Sequence, residues 1–257
     1  MKWIERIKKE RFLFEELTLR DFKQKYKRTI LGMGWSLLFP LMTLFIQRLV
    51  FTHFFGRTTP HYTIYLFAGN IVFSYFREAT TGGMNALISN AHIFSKVNVP
   101  KYIFVLTKNV SAFINFCLTL VIFFIFTVID HVPFSLSFFS IIIPIVCLML
   151  FNFGVGMILS ALYIFFRDTG YLYDVFLTLL MYLSAIFYNV DSFPVTYQRL
   201  FLMNPVYCYI KFFRVAVIDG HMPSLVYTVL CFGYAILAVG IGIFIYHKKN
   251  HEFLYYV

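Results

Sequence analysis

The stretch ILGMGWSLLFPLMTLFIQRLVFTHFF, residues 30–55, decides the fold. Its one Lys, Arg, Asp or Glu is Arg48. A bilayer core takes about 20 apolar residues in helical form, so this run is long enough to cross with some tilt. Five further stretches repeat the pattern. The predicted spans are 30–56, 63–89, 102–129, 138–165, 171–190 and 225–246. The second is interrupted by Arg77, Glu78 and Thr80-Thr81-Gly82-Gly83. With 60% hydrophobic and 13% charged residues over 257 positions, there is too little polar surface for a soluble globule, which carries roughly 25% charge. The expected fold is an all-α integral membrane bundle of six transmembrane helices over 30–257, led by an N-terminal segment, 1–29.

Net charge is +10, and ten of the 22 Lys and Arg precede Ile30. A basic block beside a span indicates cytoplasmic retention and anionic membrane lipids rather than nucleic acid. Lys96, Lys101, Arg167, Lys248 and Lys249 fall on the same predicted side as that block; the other side holds Arg57, Arg199, Lys211 and Arg214. The richer side is read as cytoplasmic, with both termini there. No cleavable signal peptide is evident. Phe12, Leu19, Phe22 and Tyr26 recur at near-helical spacing, with Arg20, Lys23, Lys25 and Lys27 elsewhere; this is the pattern of an interfacial amphipathic helix.

Residues 191–224 are too apolar for an ordinary loop, yet Asn204-Pro205 breaks them. Proline disfavours helix at the residue before it. Two re-entrant half-helices between the fifth and sixth spans are expected, backed by protein or a wet cavity.

No phosphate-binding G-x-x-x-x-G-K-[ST] or zinc-type H-E-x-x-H occurs. Cys117, Cys147, Cys208 and Cys231 form no C-x-x-C pair and read as small hydrophobes. No catalytic set or metal site is therefore expected. His53, His61, Asp130 and His131 lie near span ends without a pattern. Any ATP-driven step belongs to another polypeptide. Arg77 and Glu78 are costly inside a span and face a polar passage or a neighbouring subunit; Arg48 snorkels or faces a lumen. Trp35, Phe39 and Met42 share a face of the first span, as do Tyr182, Ile186 and Asn189 on the fifth. These six are candidates for a lumen lining, with lipid contact and packing as the alternative. Between the second and third spans, Ala91, His92, Ile93, Phe94 and Lys96 suggest a small helix exposing Ile93 and Phe94 as a docking knob.

The order Leu19-Arg20-Asp21-Phe22-Lys23-Gln24-Lys25-Tyr26-Lys27-Arg28-Thr29-Ile30-Leu31-Gly32, then Trp35 and Pro40, resembles the permease subunits of ABC type-2 polysaccharide exporters. Phe67-Ala68-Gly69, Asn85 through Pro100, Phe166-Arg167-Asp168 and Met203-Asn204-Pro205 extend the resemblance over nearly the whole chain. It implies a homodimeric channel in the bacterial cytoplasmic membrane and two copies of an ABC ATPase that binds ATP and Mg. The implied cargo is a lipid-linked glycan: O-antigen, capsular polysaccharide or teichoic acid. Phe22, Tyr26 and the Ala91–Val99 segment would meet the ATPase, with Arg167 and Asp168 at the cytoplasmic corner. Asn204 and Pro205 would help form an outer gate. A membrane acyl or glycosyl transferase and a secondary transporter are the readings of other classes.

Overall fold

The computed structural model describes residues 2–26, 30–55, 59–97, 99–250 and 252–256, and among them every regular element is helical. In order these are α1 (Lys2–Tyr26), α2 (Trp35–Phe55), α3 (Tyr62–Ser89), α4 (Ala91–Phe94), α5 (Tyr102–Ile129), α6 (Ile142–Phe165), α7 (Thr169–Leu183), α8 (Val195–Phe201), α9 (Pro205–Val217) and α10 (Leu225–Lys249). Four stretches are long and apolar enough to cross a membrane: α2, α5, α6 with the turn before it, and α10.

The helix α3 falls outside that set, carrying Asn70, Ser74, Thr80, Thr81 and Asn85 besides Arg77 and Glu78. Its 28 residues nonetheless reach about 42 Å at 1.5 Å per residue. Eighteen of them are buried, because α2, α5, α6 and α9 pack around it. Small residues let the backbones approach, the usual device of membrane helices. A Cβ on Gly83 would stand 2.9 Å from Gly156 Cα in α6, and one on Gly154 would stand 2.4 Å from Ala238 backbone in α10.

The expected fifth span, 171–190, is not one continuous helix. Helix α7 ends at Leu183 after 15 residues, about 22 Å and short of a full bilayer core. The chain then turns through Ala185 at φ +52°, a conformation costly for a residue with a Cβ. Four successive carbonyls after the turn receive side-chain donors. Arg214 gives Nη1 to Ala185 O at 2.8 Å and Nη2 to Ile186 O at 2.9 Å. Tyr62 donates to Phe187 O at 2.8 Å and Tyr65 to Tyr188 O at 2.7 Å. Arg214 also donates to Tyr65 O and lies over the Tyr65 ring. It is 4% exposed. Gly69 leaves room for it, since a Cβ there would lie 2.7 Å from Nη2.

Helices α8 and α9 meet at 108° across the break at Asn204. The Asn204 carboxamide oxygen caps α9 by accepting from Val206 N and Tyr207 N, and Pro205 takes the first turn, where no N–H is needed. Asn204 Nδ2 donates back to Leu183 O and Ser184 Oγ, tying the break to the end of α7. The four cysteines are free, three of them buried.

Arg214→Leu strands carbonyls of Tyr65, Ala185 and Ile186, each worth about 1–3 kcal/mol when buried unpaired. Thermal unfolding of the purified chain should fall by the equivalent of about 3–5 kcal/mol, with Gly69→Ala following in the same direction. Unchanged unfolding in both would remove Arg214 as the brace.

Candidate functional site

One face of α3 is polar from end to end of its middle third. Asn70, Ser74, Arg77, Glu78 and Thr81 fall within about a 100° arc at 100° per residue. The opposite face, with Val72, Phe76, Ala79 and Gly83, is buried in the core. Helix α5 presents a second such row, Lys108, Ser111, Asn115 and Thr119. The α3 row, with Asn115 and Thr119 of the α5 row, faces α2 across a cavity of about 750 Å³, whose α2 wall is Trp35, Ser36, Phe39, Pro40 and Thr43.

Within the cavity Asn115 Nδ2 donates to Glu78 Oε1 at 2.7 Å. Asn70 Nδ2 donates to Gln47 Oε1, joining α3 to α2, and to Leu66 O at 3.0 Å. The Arg77 guanidinium is exposed into this space and meets no acceptor side chain among the described residues. A second hollow of about 630 Å³ continues from Glu78 and Gly82 to Ser89, His92 and Arg20. The two hollows share those two residues, so a polar path runs from the middle of α3 to the end of the bundle that carries α1 and α4.

At that basic end lies a tight ionic joint. Asp21 of α1 is buried, with Oδ2 2.9 Å from Lys108 Nζ of α5 and Oδ1 2.8 Å from Arg20 Nη2. Arg20 Nη2 also donates to Asn90 Oδ1 at 2.7 Å, and Asn90 Nδ2 holds Ala86 O at 2.8 Å. Interface helix, α5 and the α3–α4 corner are thus one assembly. The chain end joins it. Lys101 Nζ donates to Asn250 O and Oδ1 and lies 5.8 Å from the Phe94 and Phe253 rings. Burial pushes the Lys101 amine below its ordinary value.

The sequence-derived candidates are distributed as follows. Trp35 and Phe39 line the cavity; Met42 is exposed along the same helix beside a smaller hollow that includes Arg48. Tyr182, Ile186 and Asn189 do not share a face, because α7 ends before two of them. Tyr182 is 54% exposed, Ile186 is fully buried and contributes a carbonyl to Arg214, and Asn189 caps the short turn at Asp191.

The docking knob is corrected. Phe94 is 5% exposed and packs on Phe104, and Ile93 is half-buried against the same cluster. The outward face is His92, Ser95, Lys96 and Val97, with Ala91 half-buried. Arg167 and Asp168 are exposed at the α6–α7 corner, Arg167 lying over the Tyr163 ring. The stripe predicted on α1 faces away from the bundle: Phe12 and Leu19 are exposed, and Leu17, Thr18 and Asp21 form the packed face. Phe22 is half-buried, and the Tyr26 side chain lies outside the described residues. His61 Nδ1 is 2.9 Å from Asp130 Oδ2, which joins the start of α3 to the end of α5. Among the described residues no three His, Cys, Asp or Glu side chains gather into a metal-binding group.

The sequence reading missed Lys108, Arg214 and the neutral members of the α3 stripe. A four-residue polar period over 70–81 was the available signal for the stripe.

Several long apolar helices, a braced α8–α9 elbow and a polar path inside an apolar bundle describe a multi-pass membrane protein. Residues 13–218 match the ABC-2 type transporter family, and the chain belongs to it. It is similar to the O-antigen export system permease protein RfbA of Klebsiella pneumoniae, 28% identical over 247 residues, covering 94% of this chain and 95% of that one. It is also similar to RfbA of Myxococcus xanthus, 22% identical with 83% of each chain covered. A third relative is the polysialic acid transport protein KpsM of Escherichia coli, 21% identical over 93% of this chain and 94% of that one.

Asp21→Ala and Lys108→Ala should each destabilise the protein, and the double variant should lose less than their sum by about 1–3 kcal/mol, as for a paired network. Strictly additive losses in thermal unfolding would mean that the two charges do not hold each other.

Proposed function

We propose that the chain is the transmembrane subunit of an ATP-driven exporter that moves a lipid-linked polysaccharide, O-antigen-like, across the bacterial cytoplasmic membrane. The observation that carries this is the near end-to-end similarity to polysaccharide export permeases. No phosphate-binding loop occurs in the sequence, so ATP and Mg sit on a separate ABC ATPase. Capsular polysaccharide or teichoic acid export is the second reading, favoured by the polysialic acid relative in the first case.

In this reading two copies pair and two ATPase copies bind the basic end. Six spans form from α2, α3, α5, α6, α7 with its turn, and α10, with both termini in the cytoplasm. Helices α8 and α9 form a re-entrant elbow on the outer side, with Asn204 and Pro205 at its bend as part of a gate. The exposed α1 residues Phe12 and Leu19 rest in lipid headgroups, and the neighbouring basic side chains attract the anionic carrier of the glycan. The glycan passes along Trp35 and Phe39 of α2 and the exposed Tyr182 of α7. His92, Lys96 and Val97 meet the ATPase, with Arg167 and Asp168 beside them.

The ionic joint supplies the coupling. A push on α4 reaches α1 through Asn90 and Arg20, and α5 through Asp21 and Lys108. For nucleotide to drive transport, it must favour one arrangement of this assembly and glycan the other. In proteoliposomes holding the chain and its ATPase, lipid-linked glycan should stimulate hydrolysis. His92→Glu with Lys96→Glu should cut that stimulation at least fivefold. Full stimulation in the variant removes the α4 face from the docking surface, and transport by the chain alone contradicts the whole reading.

A further inference from the structure

Near the middle of α6 stands Asn152, fully buried, with no hydrogen-bond partner for its Oδ1 or its Nδ2. Among the described residues no other side chain has two polar atoms so placed. A carboxamide held unpaired in apolar surroundings is costly, and native structures keep few such groups.

Partners stand close by and are engaged elsewhere. Asn152 lies beside the Tyr75 hydroxyl of α3, outside hydrogen-bond geometry. That hydroxyl donates to Asn109 Oδ1 of α5 at 2.9 Å. Asn109 in turn donates Nδ2 to Met149 O at 2.8 Å, three residues before Asn152 on α6. Tyr75 and Asn109 are buried as deeply as Asn152. Three helices thus contribute one polar side chain each to a dry group, and one of the three is left out.

The same atoms allow a second arrangement. When the Tyr75 O–H turns to Asn152 Oδ1, Asn109 Oδ1 becomes free to accept from Asn152 Nδ2, and Asn109 Nδ2 keeps Met149 O. This asks for a slide of α6 against α3 of about 1–2 Å, the size of helix shifts in two-state transitions. The α6 surface permits it. A Cβ on Gly83 would stand 2.9 Å from Gly156 Cα, and one on Gly154 would stand 2.4 Å from Ala238 backbone. Contacts between bare backbones hold no side-chain knobs that must be reseated when the helices slide.

We propose that the Tyr75 hydroxyl exchanges between Asn109 and Asn152, and that this exchange is the two-state element through which α6 moves against α3 during transport. Asn152 is a positioning residue that acts through Tyr75 and Asn109. The inference deepens the export reading and rests on it for the transport step. One arrangement carries the cost of the unpaired carboxamide and the other recovers it, so nucleotide and glycan can shift the balance by binding the two states unequally.

The test uses the complex of the chain with its ATPase. Asn152→Leu keeps the branched shape without polar atoms, and Asn152→Cys adds no bulk should Leu prove too large. At least one of the two should hold the thermal midpoint of the chain at or above the native value, by up to about 4 °C, because an unpaired amide has been removed. Both should cut glycan-stimulated hydrolysis in proteoliposomes at least fivefold. Tyr75→Phe should lower the midpoint, since it breaks the bond to Asn109, and should cut stimulation no further when added to Asn152→Leu. Midpoints below native in both Asn152 variants mean that the carboxamide is already bonded, as to a trapped water, and overturn the exchange. Full stimulation in either variant overturns it too and leaves the export reading standing. A native complex whose hydrolysis ignores glycan overturns the export reading and the exchange with it.

Discussion

Arg214 is a guanidinium with four hydrogen bonds to three backbone carbonyls and no carboxylate among its partners. Hydrocarbon cannot satisfy a free carbonyl, so non-helical backbone survives at membrane depth only where protein supplies donors. The turn after α7 is such backbone. Arg214, Tyr62 and Tyr65 together serve residues 185 to 188. Everything at that end of the bundle follows from this service. α7 can stop early, Asn204 can bridge the stop to the α8–α9 elbow, and Gly69 stays small to admit the arginine.

The same shortage of solvent shapes the other end of the path. A helix carrying Arg77 and Glu78 cannot face lipid at its middle. It is therefore wrapped on one side by α5, α6 and α9, and it turns its polar stripe to a cavity behind α2. The cavity and the brace are opposite solutions to one problem. In the brace every polar group is consumed by the protein. In the cavity the exposed Arg77 stands beside the hydrogen-bonded Glu78–Asn115 pair.

Much of this was legible in the sequence. The limits of α3, α5 and α10 follow from apolar run length, and the elbow from Asn204-Pro205, where a cap and a first-turn proline coincide. What failed did so for definite reasons. Residues 185–188 read as a continuation of the helix because their side chains are largely apolar, while the cation that serves their carbonyls lies 28 residues beyond Ile186, at Arg214. The packed face of α1 was not legible because it includes Thr18 and Asp21, polar residues whose partner Lys108 lies on α5. Phe94 looked like a knob because its partner Phe104 belongs to the next helix. The α3 stripe was read as an interruption at Arg77, Glu78 and Thr80-Thr81-Gly82-Gly83, since Asn70 and Ser74, one and two turns earlier, are neutral and drew no attention.

The account turns on the α3 stripe being wet in the assembled protein. Single cysteines on a background with Cys117, Cys147, Cys208 and Cys231 replaced, placed in turn at positions 70 to 84 and exposed to a membrane-impermeant maleimide with the bound ATPase present, read this directly. Labelling should peak at 70, 74, 77, 78 and 81 and vanish at 72, 76, 79 and 83. Uniform protection, or labelling without a helical period, would contradict it.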